Sequence, residues 1–372
     1  MGFIQNLVEA NKQIVNCQQL KQMQTRQLLW NILKFLLFVG LGGAILYLLY
    51  RSQTANYLAY CQEQGIPSED CSLIDKLFND FRTANHFWIF AVILAYTLSC
   101  VSRSMRWQMM LRSIGYSTNF WNAFFSVMIG YFANLGFPRI GEVLRPTTLA
   151  RYEAVPFEKA VGTIVVERAI DVLMLASMMG LGLLLEYDIL WGYISENANV
   201  QGMINGLLGS RLLQIGGLFF VLLFAAGFIF RKQILAHPFA DKVLGFGKGI
   251  WEGVLSIREL AQPLIFTLHT LFIWLMYFTM TYVGFFAFEP VAHLPPSVGL
   301  MVFLFGALGI VIPSPGGMGT YHALVMAALA LYGIATLESF SFANMLFFTI
   351  QIGSNVLLGI IALLYFQSKK VS

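Results

Sequence analysis

The stretch "NLGFPRIGEVLRP", Asn134 to Pro146, lies between two long apolar segments and brings together two prolines, two glycines, two arginines and a glutamate. Proline removes a helical N–H and clashes with the preceding turn, so no continuous helix runs through it. Non-helical backbone is tolerated at membrane depth only where protein or a water-filled cavity surrounds it. Asn134, Pro138 and Gly141 therefore read as a break that lines a cavity. Arg139, Glu142 and Arg145 follow at intervals of three, which predicts one face of a helix starting after the break. Guanidinium forks match phosphate oxygens, and free N–H groups at a half-helix start add to them, so that face suits a phosphate. The plainer alternative is a cytoplasmic loop with snorkelling arginines and an Arg139–Glu142 surface pair.

The membrane itself follows from composition. Of 372 residues, 58% are hydrophobic and 11% charged, with a mean hydropathy of +0.69, outside the range of soluble domains. The chain reads as an all-α polytopic membrane protein. The run from Trp30 to Tyr50 is too long for a signal-peptide core and reads as a retained span. The net charge of +4 is modest, and its lysines and arginines fall in patches, so nucleic acid is not expected as a partner. Cys17, Cys61, Cys71 and Cys100 lack metal-ligand spacing, and no metal or cofactor is expected. Cys61 and Cys71 share one polar loop, which an oxidising compartment would allow to form a disulfide.

Six segments are long enough to cross a bilayer: about 30 to 50, 87 to 105, 158 to 186, 212 to 230, 263 to 288 and 341 to 366. Residues 118–150 and 298–335 are instead broken by proline and glycine into halves of about 12 to 16 residues, short against the roughly 20 needed for a span. They read as broken or re-entrant hairpins. A cytoplasmic N-terminal segment, 1–29, would precede one transmembrane domain, 30–372, with halves 87–230 and 263–366 and a linker at 231–262. Lysine and arginine in the flanks set orientation. Lys12, Lys21 and Arg26, then Arg103, Arg106 and Arg112, then the basic residues of 231–258, are expected in the cytoplasm, and 187–210 and 289–297, which have none, outside. Both termini are then cytoplasmic. Parity makes the first hairpin enter from the cytoplasm and the second from outside, unless the second is two short spans. Opposed broken hairpins are the pattern of an inverted-topology repeat, whose use is a site near the bilayer midplane.

Two further stretches carry chemistry. "GTIVVERAIDVLMLASMMGLGLLLE", from Gly162, sets Glu167, Arg168 and Asp171 within an otherwise apolar helix. Each costs about 2.5–3.5 kcal/mol on insertion unless it is paired or meets water. Pairing of Glu167 with an arginine of the first hairpin and a role in a substrate or proton path are both expected, and they are compatible. "IPSPGGMGTYH", Ile312 to His322, holds Ser314 and the glycines Gly316, Gly317 and Gly319, which permit a tight turn and an anion nest at a half-helix start. It lacks the lysine and strand context of a nucleotide loop. His322 suits either a proton site or a bundle histidine with a hydrogen bond. Arg103, Arg106 and Trp107 in "VSRSMRWQMML" read as interface anchors that could also attract anionic headgroups.

Together "N…PRIGEVLR" (Asn134 to Arg145), "TIVVERAIDVL" (Thr163 to Leu173) and "PSPGGMG" (Pro313 to Gly319) resemble the lysylphosphatidylglycerol synthase transmembrane region, also called the flippase-like domain family. The resemblance implies a membrane domain that moves a lipid between leaflets. The chain ends at Ser372, directly after its last span, so transport without synthesis is expected. The family commonly has an acidic residue where this chain has His322. The expected activity is therefore a lipid flippase of the bacterial cytoplasmic membrane, not an enzyme, handling a phospholipid or a polyprenyl phosphate and able to form a homo-oligomer. Its headgroup contacts would be Arg139 and Arg145 on phosphate, with Glu167 and Asp171 on a cationic moiety or protons. The rivals are a membrane-embedded lipid-modifying transferase, with Glu167 or Asp171 as base and His322 as acid, and a secondary transporter of ions or small solutes.

Overall fold

The computed structural model describes residues 71–196, 256–312 and 314–369, with scattered positions between 47 and 67 and Trp251. These residues are helical. We number the helices α1 (Leu73–Thr83), α2 (His86–Ser113), α3 (Phe120–Asn134), α4 (Gly141–Tyr152), α5 (Phe157–Leu185), α6 (Tyr187–Glu196), α7 (Pro263–Phe285), α8 (Pro296–Val311), α9 (Thr320–Ala330), α10 (Thr336–Phe347) and α11 (Asn355–Gln367). A π-helical turn, Phe348–Ser354, joins α10 to α11 in one rod. Among the described residues four helices are long and apolar enough to span a bilayer: α2, α5, α7 and the Thr336–Gln367 rod. The expected spans at 30–50 and 212–230, the segment 1–29 and most of the linker lie outside the described residues. Cys61 and Cys71 are joined in a disulfide just before α1.

Local chemistry fixes where the helices begin. Asn85 accepts from the Phe87 N–H at 3.1 Å and Asn119 from the Trp121 N–H at 2.9 Å, each satisfying a donor that the first turn leaves free. Pro263 and Pro296 occupy first positions, where the missing N–H costs nothing.

Both expected hairpins are present, α3/α4 broken at 135–140 and α8/α9 broken at 312–319. Each closes by bringing two backbones into contact at glycine. A Cβ on Gly141 would lie 2.1 Å from the Gly130 carbonyl oxygen, and one on Gly309 would lie 2.7 Å from the Tyr321 Cα. Only glycine permits such crossings.

The two hairpins exchange partners across the molecule. α2 of the first half packs along α7 of the second. The first hairpin rests on the last helix of the second half, with Gly359 against Phe132, and the second rests on α5, with Gly182 against Leu304 and Met301. The breaks themselves meet: Arg139 Nη2 donates to the Val311 carbonyl at 3.0 Å, and Gly316 abuts Leu135. Two halves related by a two-fold axis would make this reciprocal set of contacts.

Candidate functional site

Three helices deliver charge to one place, and a fourth, α7, adds hydroxyls. On α2, Arg103 and Arg106 lie one turn apart and share a face, as do Glu167 and Asp171 on α5. Arg103 Nη1 donates to Glu167 Oε1, and also to Asp171 Oδ2 at 3.0 Å, while its Nη2 donates to the Tyr277 hydroxyl at 2.9 Å. Arg106 donates to Asp171 Oδ1 and to the Thr270 hydroxyl, both at 3.1 Å. From α4, Arg145 Nη1 donates to Glu167 Oε1 at 3.0 Å, and its Nη2 lies 2.9 Å from Glu167 Oε2 as an ion pair. Its guanidinium lies 3.9 Å from the centre of the Trp107 ring, whose indole N–H donates to Thr163 at 2.9 Å. The stack and the ion pair together fix Arg145.

Burial falls from one end of this cluster to the other. Glu167 and Arg106 are sealed, Arg103 and Arg145 nearly so, and the Asp171 side chain is 14% exposed. The Arg168 and Glu142 side chains, 3.7 Å apart, are each 40% exposed. The cluster therefore opens at Arg168. On α5 that residue is flanked one turn either side by Val165 and Val172, both exposed, so its side chain leaves an apolar outer face and turns its guanidinium toward Glu142, Glu167 and Asp171.

Charge is not balanced there: four guanidinium groups face three carboxylates. An ion kept from water needs a partner, and Glu167, touched by all four arginines, serves that purpose. Yet donors remain. The Nε of Arg103, Arg106, Arg145 and Arg168 makes no hydrogen bond among the described residues. Surplus positive charge and spare N–H groups are what an anion requires.

The structure thus brings together Glu142, Arg145, Glu167, Arg168 and Asp171 from the sequence candidates, including the expected Glu167 pairing with the first hairpin. Others stand apart. Asn134 accepts from the Gly141 N–H at 2.8 Å and closes the break. Arg139 precedes the helix instead of sharing its face: it has φ 62° in the turn, is exposed, and reaches the second hairpin. Glu142 faces Arg168, not Arg139. Ser314 is buried, with its hydroxyl 2.9 Å from that of Thr320, and Gly316 and Gly317 take positive φ in the second break. His322 is buried beside the Phe347 ring at 4.7 Å, away from the charged cluster.

Sequence reading missed Arg103 and Arg106 as members of the site, along with Thr270 and Tyr277. The two arginines do not lie in a loop or anchor an interface: α2 continues to Ser113 and buries both. Their spacing of three, beside a tryptophan in an apolar helix, is the signal that would have found them.

A bundle of spanning helices, two broken hairpins and a buried arginine–carboxylate cluster define the protein as a polytopic helical membrane protein with a polar site inside its bundle. More particularly, the chain belongs to the lysylphosphatidylglycerol synthase transmembrane region family, whose profile matches residues 73–367. That membership sets it among membrane proteins of lipid-related function. It is also 27% identical over 281 residues to the UPF0104 membrane protein MJ1595 of Methanocaldococcus jannaschii, covering 70% of this chain and 80% of that one. No solved structure matches the chain.

Proposed function

We propose that this protein moves a phosphate-bearing membrane lipid, a phospholipid or a polyprenyl phosphate, between the leaflets of a bacterial cytoplasmic membrane without making it. Both termini face the cytoplasm in this reading. The observation that carries it is Arg168: a side chain 40% exposed between Val165 and Val172 on an apolar face, its guanidinium at the mouth of the buried cluster. A phosphate arriving along that face keeps its tails in hydrocarbon while its oxygens replace Glu142, whose contact with Arg168 is long at 3.7 Å. The positive excess of the cluster then draws the headgroup inward past Asp171. Arg103, Arg106 and Arg145 hold the acidic residues in place, so no unpaired carboxylate opposes the phosphate.

The test is leaflet transfer in proteoliposomes, read by dithionite quenching of a tail-labelled phosphatidylglycerol. Wild type should render inner-leaflet label accessible. Arg168→Glu should slow transfer at least tenfold, with Arg168→Lys between the two. Wild-type rates in Arg168→Glu would overturn the assignment, and a covalently altered lipid formed by purified protein would turn it toward the transferase.

A further inference from the structure

A second lipid-shaped feature lies on the far side of α4. Between the first hairpin and α11 runs an open groove of about 570 Å³. Its two long walls change character in the same direction. Along α4 the lining passes from Leu144 through Thr147 and Thr148 to Arg151, and along α11 from Leu363 through Phe366 to Lys369. At about 1.5 Å per residue, both walls change from hydrocarbon to cation within about 10 Å. The cationic ends coincide, because Tyr152 stacks on Phe366 at 4.5 Å and its hydroxyl donates to the Phe366 carbonyl at 3.2 Å.

Among the described residues no carboxylate lines this groove. Glu153, the nearest in sequence to Arg151, is not part of the lining: its Oε1 accepts from the Asn119 N–H and from the Asn122 amide, whose oxygen in turn accepts from Lys369. Lys369 is held at the rim by Asn122 at 2.8 Å, over the Tyr365 ring. Arg151 is exposed and has no hydrogen bond or ion pair among the described residues. An apolar cleft ending in two cations is complementary to an acyl chain ending in a phosphate.

We propose that this groove holds one anionic phospholipid of the surrounding bilayer, its phosphate on Arg151 and Lys369 and an acyl chain along Leu144 and Leu363. The occupant braces α4, the helix whose opposite side delivers Arg145 to the buried cluster. The site does not rest on the transport reading, since none of its residues belongs to that cluster.

Native mass spectrometry of protein released from nanodiscs of equimolar phosphatidylglycerol and phosphatidylcholine tests it. Wild type should retain phosphatidylglycerol, and Arg151→Glu/Lys369→Glu should hold one such lipid fewer per chain, with its preference over phosphatidylcholine reduced about tenfold. Arg151→Glu alone, which breaks no hydrogen bond or ion pair with the described residues and only a long 5.9 Å contact with the neighbouring Tyr152 ring, should show most of the loss at a nearly unchanged melting temperature, separating a binding defect from misfolding. An unchanged phosphatidylglycerol count in both variants would overturn the site. So would displacement of the lipid by inorganic phosphate at equal concentration, which would mark a free-anion site, or a lipid-free dimer that disappears in the variants, which would mark an interface.

Discussion

The two broken hairpins share a plan and differ in chemistry. Each closes at a glycine crossing, Gly130 on Gly141 in one and Gly309 on Tyr321 in the other, and their tips touch. The first is shut by a side-chain amide, Asn134, and its second helix carries Glu142 and Arg145 into the charged cluster. The second is shut by the Thr320 hydroxyl on the Gly309 carbonyl at 2.7 Å and by three glycines with positive φ, and its second helix presents His322 to phenylalanines. The ionisable groups of the cluster thus come from α2, α4 and α5, on the first hairpin's side of the chain, while α7 contributes the neutral partners Thr270 and Tyr277. The contrast teaches that hairpin geometry and site chemistry are separable.

The largest effect should come from Glu167. Removing its charge leaves Arg103 and Arg145 buried without their shared partner, and breaking a buried pair in this way costs about 3–5 kcal/mol. Glu167→Gln should therefore be recovered as poorly folded protein, with a melting temperature far below wild type in size-exclusion thermal assays. A well-folded variant would mean that the cluster does not hold the first hairpin in place.

The glycine crossings should respond next, and alike. Gly141→Ala and Gly309→Ala each force a methyl group into backbone, where overpacking costs about 1–3 kcal/mol. Equal drops in melting temperature would support a shared plan. A drop at only one position would break the comparison.

How much of this could be read in advance follows from which forces are local. Both breaks were legible because proline and glycine act on their own backbone. The ends of α5 were legible because no proline interrupts the largely apolar stretch between Pro156 and Glu186. The Glu167–Arg145 pairing was legible in kind, since a carboxylate in that run needs a cation. Arg103 and Arg106 were not, because an arginine near the end of an apolar run has the same local signature whether it snorkels to water or turns into the bundle. Only the packing of α2 against α7 and α5 decides that. Arg139 was misplaced by two residues for a related reason: the close approach at Gly141 sets where α4 can start, and it is a tertiary contact.

Arg168 separates charge that holds the fold from charge that meets the lipid. Its own side chain is 40% exposed and its contacts with Glu142, Asp171 and the buried Glu167 are long, at 3.3–3.7 Å, so the neutral variant Arg168→Gln should change stability by about 1 kcal/mol or less while slowing leaflet transfer severalfold. Melting curves and the quenching assay on the same preparation distinguish the two. A variant that unfolds would put Arg168 with Arg103 and Arg145 as a structural cation.

The smallest effect is expected at His322, where the asymmetry between the hairpins is most exposed to refutation. The ring is fully buried, with Phe347, Phe340 and Tyr321 around it, and among the described residues neither ring nitrogen makes a hydrogen bond of ordinary geometry, although Asn344 faces it. Replacing a buried polar ring of this kind by phenylalanine removes a desolvated group and adds little volume. Nearly volume-conserving swaps in a core cost less than about 1.5 kcal/mol, and here the lost desolvation offsets part of that. His322→Phe should therefore fold as wild type and transfer lipid at a rate within twofold of it. If it folds but transfer stops, then a histidine without a carboxylate beside it handles a proton or the headgroup, and both hairpins, not the first alone, carry the chemistry.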